Sequence, residues 1–453
     1  MTHWAWDAIF YHIYPLGFCG APSKNDFCSP VVPRLELERD WIPHLRNLGV
    51  NALYLGPVFE SGTHGYDTAD YFQVDRRLGN NGTLSQLVSS LHENGIRVIL
   101  DGVFHHVGRD FWAFRHILDH HQNSPYCAWF QGLSFGRHSP YDDPFSYEAW
   151  NGHYNLVKLN LQNPDVKNHL FQAVEMWIQE FDINGLRLDA ADYIDLNFLK
   201  ELAGICRHAR PDFWLVGEVI HGDYRKWANP ETLDSVTNYE CYKGLYSSHV
   251  DKNYFEIAYS LNRQFGERGI YRHLPLYSFA DNHDVDRVAS SLKRPEHLYP
   301  LYCLLFAMPG VPSIYYGSEW GIEGKKKNGD DSPLRPHLDL STASQTGRHH
   351  DLAKIIGKLS KIRRGSEALK YGHYRQLAVR HEQLAFARQT SNECVIVLVN
   401  AADHAIPFEL SVPANYGNQL IDMLNPGESF PISRGKAEID VVWPRWARIM
   451  LVT

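Results

Sequence analysis

The sequence predicts an α/β protein: a parallel β-sheet covered by helices, interrupted by one excursion and followed by an all-β C-terminal region. Three observations predict it. Helices with apolar residues at three- and four-residue spacing are followed, again and again, by a Gly or Asn break and a short apolar strand. The stretch from Val107 to Asn155 breaks that rhythm with aromatic, His, Gly and Pro residues. After about Tyr371 the helical period stops, and short strands divided by turn residues take over.

The elements follow in order. Ile9 to Phe18 reads as a core strand. Leu35 to Leu48 reads as a helix ended by Gly49, and Ala52 to Phe59 as the next strand. Leu84, Leu87, Val88 and Leu91 mark a second helix, broken at Asn94 and Gly95 before the strand Val98 to Val103. Asn163, Pro164 and Asp165 supply a cap with Pro at the first helical position, and the apolar spacing runs on to Phe181. Strands Leu186 to Ala190 and Trp214 to Val219 come next. Continuous apolar strands that alternate with amphipathic helices indicate a sheet buried on both faces. Cys394 to Val399, Ala405 to Leu410 and Ala447 to Val452 are the strands of an expected terminal β-sandwich.

Composition narrows the function. The 453 residues carry a net charge of −8, which argues against a nucleic acid partner. The most apolar stretch, Leu298 to Gly317, is interrupted by Pro300, Pro309 and Pro312 and reads as a buried helix plus strand, so no membrane span is expected. The N-terminus lacks a basic region followed by an apolar run, and a cytoplasmic location is expected. Seven scattered cysteines with no C-x-x-C pair indicate reduced core thiols. The run Lys325 to Lys327 reads as a solvated loop. His116 and His120, four apart on a helix, read as a surface pair, because zinc needs three or four ligands.

Chemistry is expected at the C-terminal ends of the strands, where parallel barrels hold their active sites. Asp189 ends Gly185-Leu-Arg-Leu-Asp189, Glu218 ends Trp214-Leu-Val-Gly-Glu218, and Asp284 lies in Phe279-Ala-Asp-Asn-His-Asp284. One such acid could merely cap the next helix. Three in the same arrangement, with His106, Arg187 and His283 at equivalent depth, point to glycosidic bond cleavage. One carboxylate attacks the anomeric carbon while a second, protonated, serves the leaving oxygen, about 5 to 5.5 Å away in a retaining enzyme. Asp189 beside Arg187 is the expected nucleophile, since the guanidinium favours its ionised form. Glu218 is the expected donor with a raised pKa, and Asp284 the acid that steadies the developing positive charge.

Four motifs in order, Asp101-Gly-Val-Phe-His-His106, Gly185-Leu-Arg-Leu-Asp189, Gly217-Glu218-Val219 and Asn282-His283-Asp284, resemble the α-amylase superfamily of glycoside hydrolases. The resemblance implies a (β/α)8 TIM barrel at 1–106 and 156–370, an excursion domain at 107–155 after strand 3, and a C-terminal antiparallel β-sandwich at 371–453. It implies the same three catalytic residues, Asp189, Glu218 and Asp284. It also implies a substrate-binding set of Tyr66, Asp67, Asp101, His106, Arg187, His283 and Arg287. Tyr66 would stack on the sugar whose bond is cut, and Arg287 would pair with Asp67 or a neighbouring acid.

Leu156-Val-Lys-Leu-Asn160 resembles the neopullulanase and cyclomaltodextrinase branch. That implies α-1,4 cleavage in maltooligosaccharides and cyclic or branched glucans through a covalent glycosyl-aspartate, with transglycosylation and no cofactor. An α-1,6-specific or disaccharide-specific α-glucosidase (an isomaltase or sucrose-acting enzyme) is the alternative, which the excursion would decide. A noncatalytic sugar-binding or chaperone barrel is the remote one, set against the presence of all three acids. The branch carries an extra N-terminal sandwich that helps build a dimer, whereas the barrel pattern here starts at Ile9, so monomer and dimer both stay open. Where many members of the family place an Asn that helps bind calcium, this sequence has His105, a poor ligand for a hard cation, and no tightly bound metal is expected there.

Overall fold

The structure is a computed structural model that describes residues 3–453. Eight parallel strands form its centre: β1 (Phe10–Ile13), β2 (Ala52–Leu55), β3 (Arg97–Gly102), β4 (Gly185–Leu188), β5 (Trp214–Gly217), β6 (Ser235–Val236), β7 (Tyr277–Phe279) and β8 (Val311–Tyr315). They pair in the order β6-β5-β4-β3-β2-β1-β8-β7, and a single parallel bridge from Thr237 to Tyr277 joins the two ends into a barrel. Phe10, Tyr54, Ile99, Trp214, Val216, Phe279 and Val311 fill the interior, with Phe10 stacked on Trp214 at 5.1 Å. The alternate residues, such as Tyr11, Leu53, Val98 and Leu100, pack outward into the larger core shared with the helices. Both faces are therefore apolar, which is why the strands read as unbroken apolar runs.

Several expected elements are shorter than their apolar patterns: the strand read over Ala52 to Phe59 stops at Leu55, before Gly56 and Pro57, and those read to Ala190 and Val219 stop at Leu188 and Gly217. The first strand stops at Ile13, because Pro15 starts a helical turn, Pro15–Phe18. The helix expected over Leu35 to Leu48 is split into Glu36–Arg39 and Ile42–Asn47, with Pro43 in the first turn of the second piece. The helix Pro164–Phe181 begins as its sequence indicates, with the Asn163 side chain accepting a hydrogen bond from the Asp165 amide. The apolar stretch after Pro295 forms the buried helix Leu298–Ala307 and then β8.

Between β3 and the helix Pro164–Phe181 lies a small three-stranded antiparallel sheet, in which His106–Gly108 pairs with His153–Lys158 and the latter with Ala149–Trp150, beside a helix, Trp112–His120. At the C-terminus eight antiparallel strands pair in one continuous series whose end strands, His373–Val379 and Ile406–Ser411, come into contact, enclosing a core of Ile396, Leu398, Phe408, Leu420 and Met450. Two buried arginines satisfy the last carbonyls of the helix Leu298–Ala307, and one of them ties the C-terminal strands to the barrel. Arg363 donates to the carbonyls of Phe306 and Met308, and Arg388, on the strand Gln383–Gln389, to those of Ala307 and Gly372.

All seven cysteines are free thiols, and five of them are buried. Among the described residues no helix is long and apolar enough to cross a membrane.

Glu38 is buried on the first of the split helices, with only the Cys19 thiol as a hydrogen-bond donor, at 3.9 Å. Burial pushes its carboxyl up to about 8. The folded state holds a proton that the unfolded chain releases near pH 4.5. Stability from this group is therefore complete below that pH and is lost as pH rises towards 8. Glu38→Gln is expected to match the wild type in thermal unfolding near pH 4 and to exceed it at pH 8, by an amount on the order of a few kcal/mol.

Candidate active site

The acids sit where each strand runs out. The backbone ladder continues one residue past β4 and β5, with the Asp189 amide donating to Gly102 and the Glu218 amide to Leu188, so both carboxylates emerge on the same rim. Ala190 then adopts a left-handed conformation (φ 46°), and its amide donates to Glu218 Oε2 at 3.1 Å. A non-glycine residue held there carries local strain, and the turn aims Asp189 into the rim while tying it to Glu218. Asp284 is presented by an Asx turn, in which Asn282 Oδ1 accepts from the amides of Asp284 (2.8 Å) and Val285 (3.2 Å).

Arg187 gathers the acids. Its Nη1 donates to Asp101 Oδ1 (2.8 Å) and Asp189 Oδ1 (3.0 Å), while Nη2 lies 2.9 Å from Glu218 Oε2. Tyr54 and Tyr66 donate to Asp101 Oδ2 at 2.8 and 3.0 Å. Tyr66 stacks on His283 (5.4 Å) and hydrogen-bonds to its Nε2, which is also 2.9 Å from Asp284 Oδ2. Gly65 before Tyr66 has φ 89°, and a Cβ there would meet Pro57 at 2.6 Å, so the turn that delivers Tyr66 needs glycine. His106 is buried 3.9 Å from Asp189 Oδ2, and its Nε2 has no hydrogen-bond partner. These groups surround a cavity of about 540 Å³, lined by Asp189, Glu218, Asp284, Tyr66 and His106 and by residues of the surrounding loops.

Burial pushes the Asp189 carboxyl well above the usual range; Arg187 opposes this, and the charges of Glu218 and Asp101 add to it. This differs from the expectation that Arg187 favours the ionised form of Asp189: the one guanidinium is shared among three acids, and burial outweighs it. Asp284 goes the other way. Burial would raise it, but His283 and then Arg335 and Arg187 outweigh that and hold it far below the usual range. Burial pushes His106 down to about 3 and His105 to about 4, so both imidazoles are neutral at pH 7.

Other expectations are corrected. Arg287 does not pair with Asp67 and does not line the cavity. It is fully buried over Tyr315 and donates to the carbonyls of Tyr316 and Leu334. Asp67 is also turned away from the cavity, accepting from Thr63 Oγ1 (2.7 Å) and the His64 amide (3.1 Å) to hold the Tyr66 loop. Asp101, Arg187 and His283 lie beneath the lining residues rather than among them. Lys325 to Lys327 are exposed, as a solvated loop requires, and Lys326 also borders the cavity and pairs with Asp331 at 2.7 Å. His116 stacks on His120 at 4.0 Å, partly exposed on the excursion helix. His105 packs against Trp150 at 5.0 Å, with Nδ1 3.3 Å from His106 Nδ1. Among the described residues no group of three or more His, Cys, Asp or Glu side chains is arranged to hold a metal ion.

A model of the alpha-amylase catalytic domain matches residues 39–358. This chain belongs to the alpha-amylase family. It is a glycoside hydrolase of that family, and its relatives agree. A cyclomaltodextrinase from a Bacillus species is 31% identical over 88% of this chain and 73% of its own length. Neopullulanase 2 of Thermoactinomyces vulgaris is 30% identical over 96% and 76%. Among solved structures, a cyclomaltodextrinase matches with a TM-score of 0.86 at 28% identity, covering 99% of this chain and 78% of that one. The cyclic alpha-maltosyl-(1→6)-maltose hydrolase of Arthrobacter globiformis matches at 0.81 with 25% identity, covering 99% of both.

Among the cavity residues of this alpha-amylase family site that sequence reasoning missed are Trp150, Tyr193, Tyr239 and Arg335. Tyr193 had a signal, four residues past Asp189 on the same loop, and Trp150 precedes an Asn-Gly turn pair. Tyr239 donates to Glu218 Oε1 at 3.2 Å and follows the short strand β6. Arg335 had none. It lies 51 residues past Asp284, donates to Asp284 Oδ1 at 2.9 Å and covers the Tyr14 ring at 4.6 Å.

Removing the cation from Asp284 raises its pKa, and the ionised form is then lost at higher pH. Arg335→Met is expected to move the acid limb of the kcat/KM profile to higher pH and to lower kcat by roughly 10- to 100-fold, measured across pH 4 to 8.

Proposed function

We propose that this enzyme is a retaining glycosidase that cleaves α-1,4 bonds in maltooligosaccharides and in cyclic or branched α-glucans, with Asp189 as nucleophile, Glu218 as acid/base and Asp284 as the stabilising acid. The observation that carries this reading is the shared guanidinium: Asp189 and Glu218 hang on two nitrogens of Arg187 and face one cavity. Two carboxyls on one fork favour the short separation of a retaining pair, about 5 to 5.5 Å, over the wider gap that an inverting enzyme leaves for water.

In the reactive state Glu218 carries the proton and Asp189 is the carboxylate that attacks the anomeric carbon. Glu218 then protonates the departing oxygen as the bond from Asp189 to the sugar forms. In the second step Glu218 takes a proton from water, or from a sugar hydroxyl, whose oxygen displaces Asp189 and restores the acid. Asp284 stays ionised and faces the positive charge that develops on the ring. The unpartnered Nε2 of His106 and the hydroxyl of Tyr66 supply polar contacts to the sugar. No cofactor is needed.

A second reading, action on α-1,6 bonds, is supported by the likeness to the Arthrobacter globiformis hydrolase, whose name carries a 1→6 linkage. The division into barrel, excursion (107–155) and C-terminal region (371–453) is part of this proposal, as is a cytoplasmic location, which the seven free thiols and a 27% identical intracellular maltogenic amylase of Bacillus subtilis support.

Fresh products of maltotetraose, panose and isomaltose, followed by proton NMR, test both the stereochemistry and the linkage. The α-anomer is expected first, from the α-1,4 bonds; the β-anomer first overturns the mechanism, and cleavage of isomaltose alone moves the assignment to α-1,6. Asp189→Asn and Glu218→Gln are each expected to lose about 10³-fold or more in kcat while keeping the wild-type melting temperature.

A further inference from the structure

We propose that His12, an imidazole buried inside the barrel, is a positioning residue: through one bridging water its Nε2 accepts the Nδ1 proton of His283, and so it supports the charged pair that His283 makes with Asp284. This rests on the reading of Asp284 as the stabilising acid.

Strand register puts His12 there. Phe10 belongs to the interior fill, and His12, two residues on along β1, faces the same way one layer nearer the rim. It pairs level with Tyr54 on β2 and Tyr315 on β8. Its ring lies flat on Tyr54 at 4.1 Å, meets Tyr315 at 4.9 Å and stands perpendicular to His283 at 5.1 Å. It is buried beneath the cavity and does not line it.

The far side of His283 fixes one of its protons. Tyr66 gives its hydroxyl proton to Asp101 Oδ2, so its oxygen accepts from His283 Nε2. Asp284 Oδ2, 2.9 Å from the same nitrogen, is an acceptor as well. Nε2 therefore carries a proton. Nδ1 is left, buried and without a partner in the protein. The hydroxyls of the surrounding rings are already spent, Tyr14 on the His64 carbonyl, Tyr54 on Asp101 and Tyr315 on the Leu334 carbonyl. His12 has a ring nitrogen to spare, because its Nε2 is also buried without a partner. Two unanswered nitrogens on neighbouring rings make a polar niche for one water, which donates to His12 and accepts from His283.

Charge decides which ring holds the extra proton. Burial, then His283 and Arg187, outweigh the pull of Asp284 and hold His12 well below the usual imidazole range, and Arg287 adds to them. His12 is thus neutral at pH 7 and can offer a lone pair. His283 instead faces Asp284 directly. In the reactive state Asp101, Asp189 and Asp284 are carboxylates held by the guanidiniums of Arg187 and Arg335, and a positive His283 closes that balance. A buried N–H on such a cation is costly unless it is answered, and His12 answers it.

The test is a titration of the full chain labelled with nitrogen-15 histidine. The signals of His283 and His12 are identified by their loss in His283→Gln and in His12→Leu. At pH 7 the wild type is expected to show both ring nitrogens of His283 protonated and only one of His12. His12→Leu is expected to move the His283 midpoint to lower pH by about one unit, a tenfold change in proton affinity, and the alkaline limb of kcat/KM on maltotetraose with it. His12→Gln, whose amide oxygen can accept the same hydrogen bond, is expected to restore most of both. Melting curves check that each variant folds; if His12→Leu does not, the wild-type spectrum and His12→Gln carry the test. A bare Nδ1 on His283 at pH 7, or a charged His12, overturns the inference. A midpoint that stays or rises in His12→Leu overturns it too, since His12 would then only fill space. So does a midpoint that moves while the kcat/KM limb does not, since the pair would then lie outside the reaction. A wild type that titrates as expected but is inactive on every glucan overturns the proposed function and leaves the pairing of His12 with His283 standing.

Discussion

The site depends on one buried guanidinium. Arg187 stands on β4 in register with Asp101 on β3 and Val216 on β5, so parallel pairing alone brings Asp101 level with it and places Asp189 and Glu218 one step further along. A buried arginine without counter-charge is costly, and so are buried carboxylates without a cation. Each makes the other tolerable. The result is a polar layer above the apolar fill of Phe10, Trp214 and Ile99, laid down by the barrel itself and independent of the loops.

The loops then complete a charge balance that the strands leave unfinished. Asp101, Asp189 and Glu218 share Arg187, while Asp284 has Arg335 and the neighbouring His283. This division separates the carboxyls by environment, with Asp189 pushed up by burial and crowding and Asp284 held down by its cations. Arg287, buried and not among the lining residues, has its part here: with Tyr315 it holds the Leu334 carbonyl and so fixes the residue before Arg335.

The excursion and the loop after β8 are built on a different principle from the floor. The floor is set by strand register, whereas the walls are set by loops and by side chains that meet across long sequence separations. A barrel of this kind keeps its chemistry while its loops change what it accepts.

By itself the sequence determined the alternation of strand and helix, the rim position of Asp189, Glu218 and Asp284, and the glycosidase class, because residues at a strand end inherit their place from local periodicity and from the pairing of neighbouring strands. It misjudged the spans around Pro15 and Pro43, where apolar pattern and backbone chemistry disagree. It also sent Arg287 and Asp67 to the substrate. The tertiary structure decided which arginine meets Asp284, which loops line the cavity and which acid burial crowds most. Each of those depends on a loop closing over tens of residues or on the summed field of charges from several strands, and neither leaves a period in the chain.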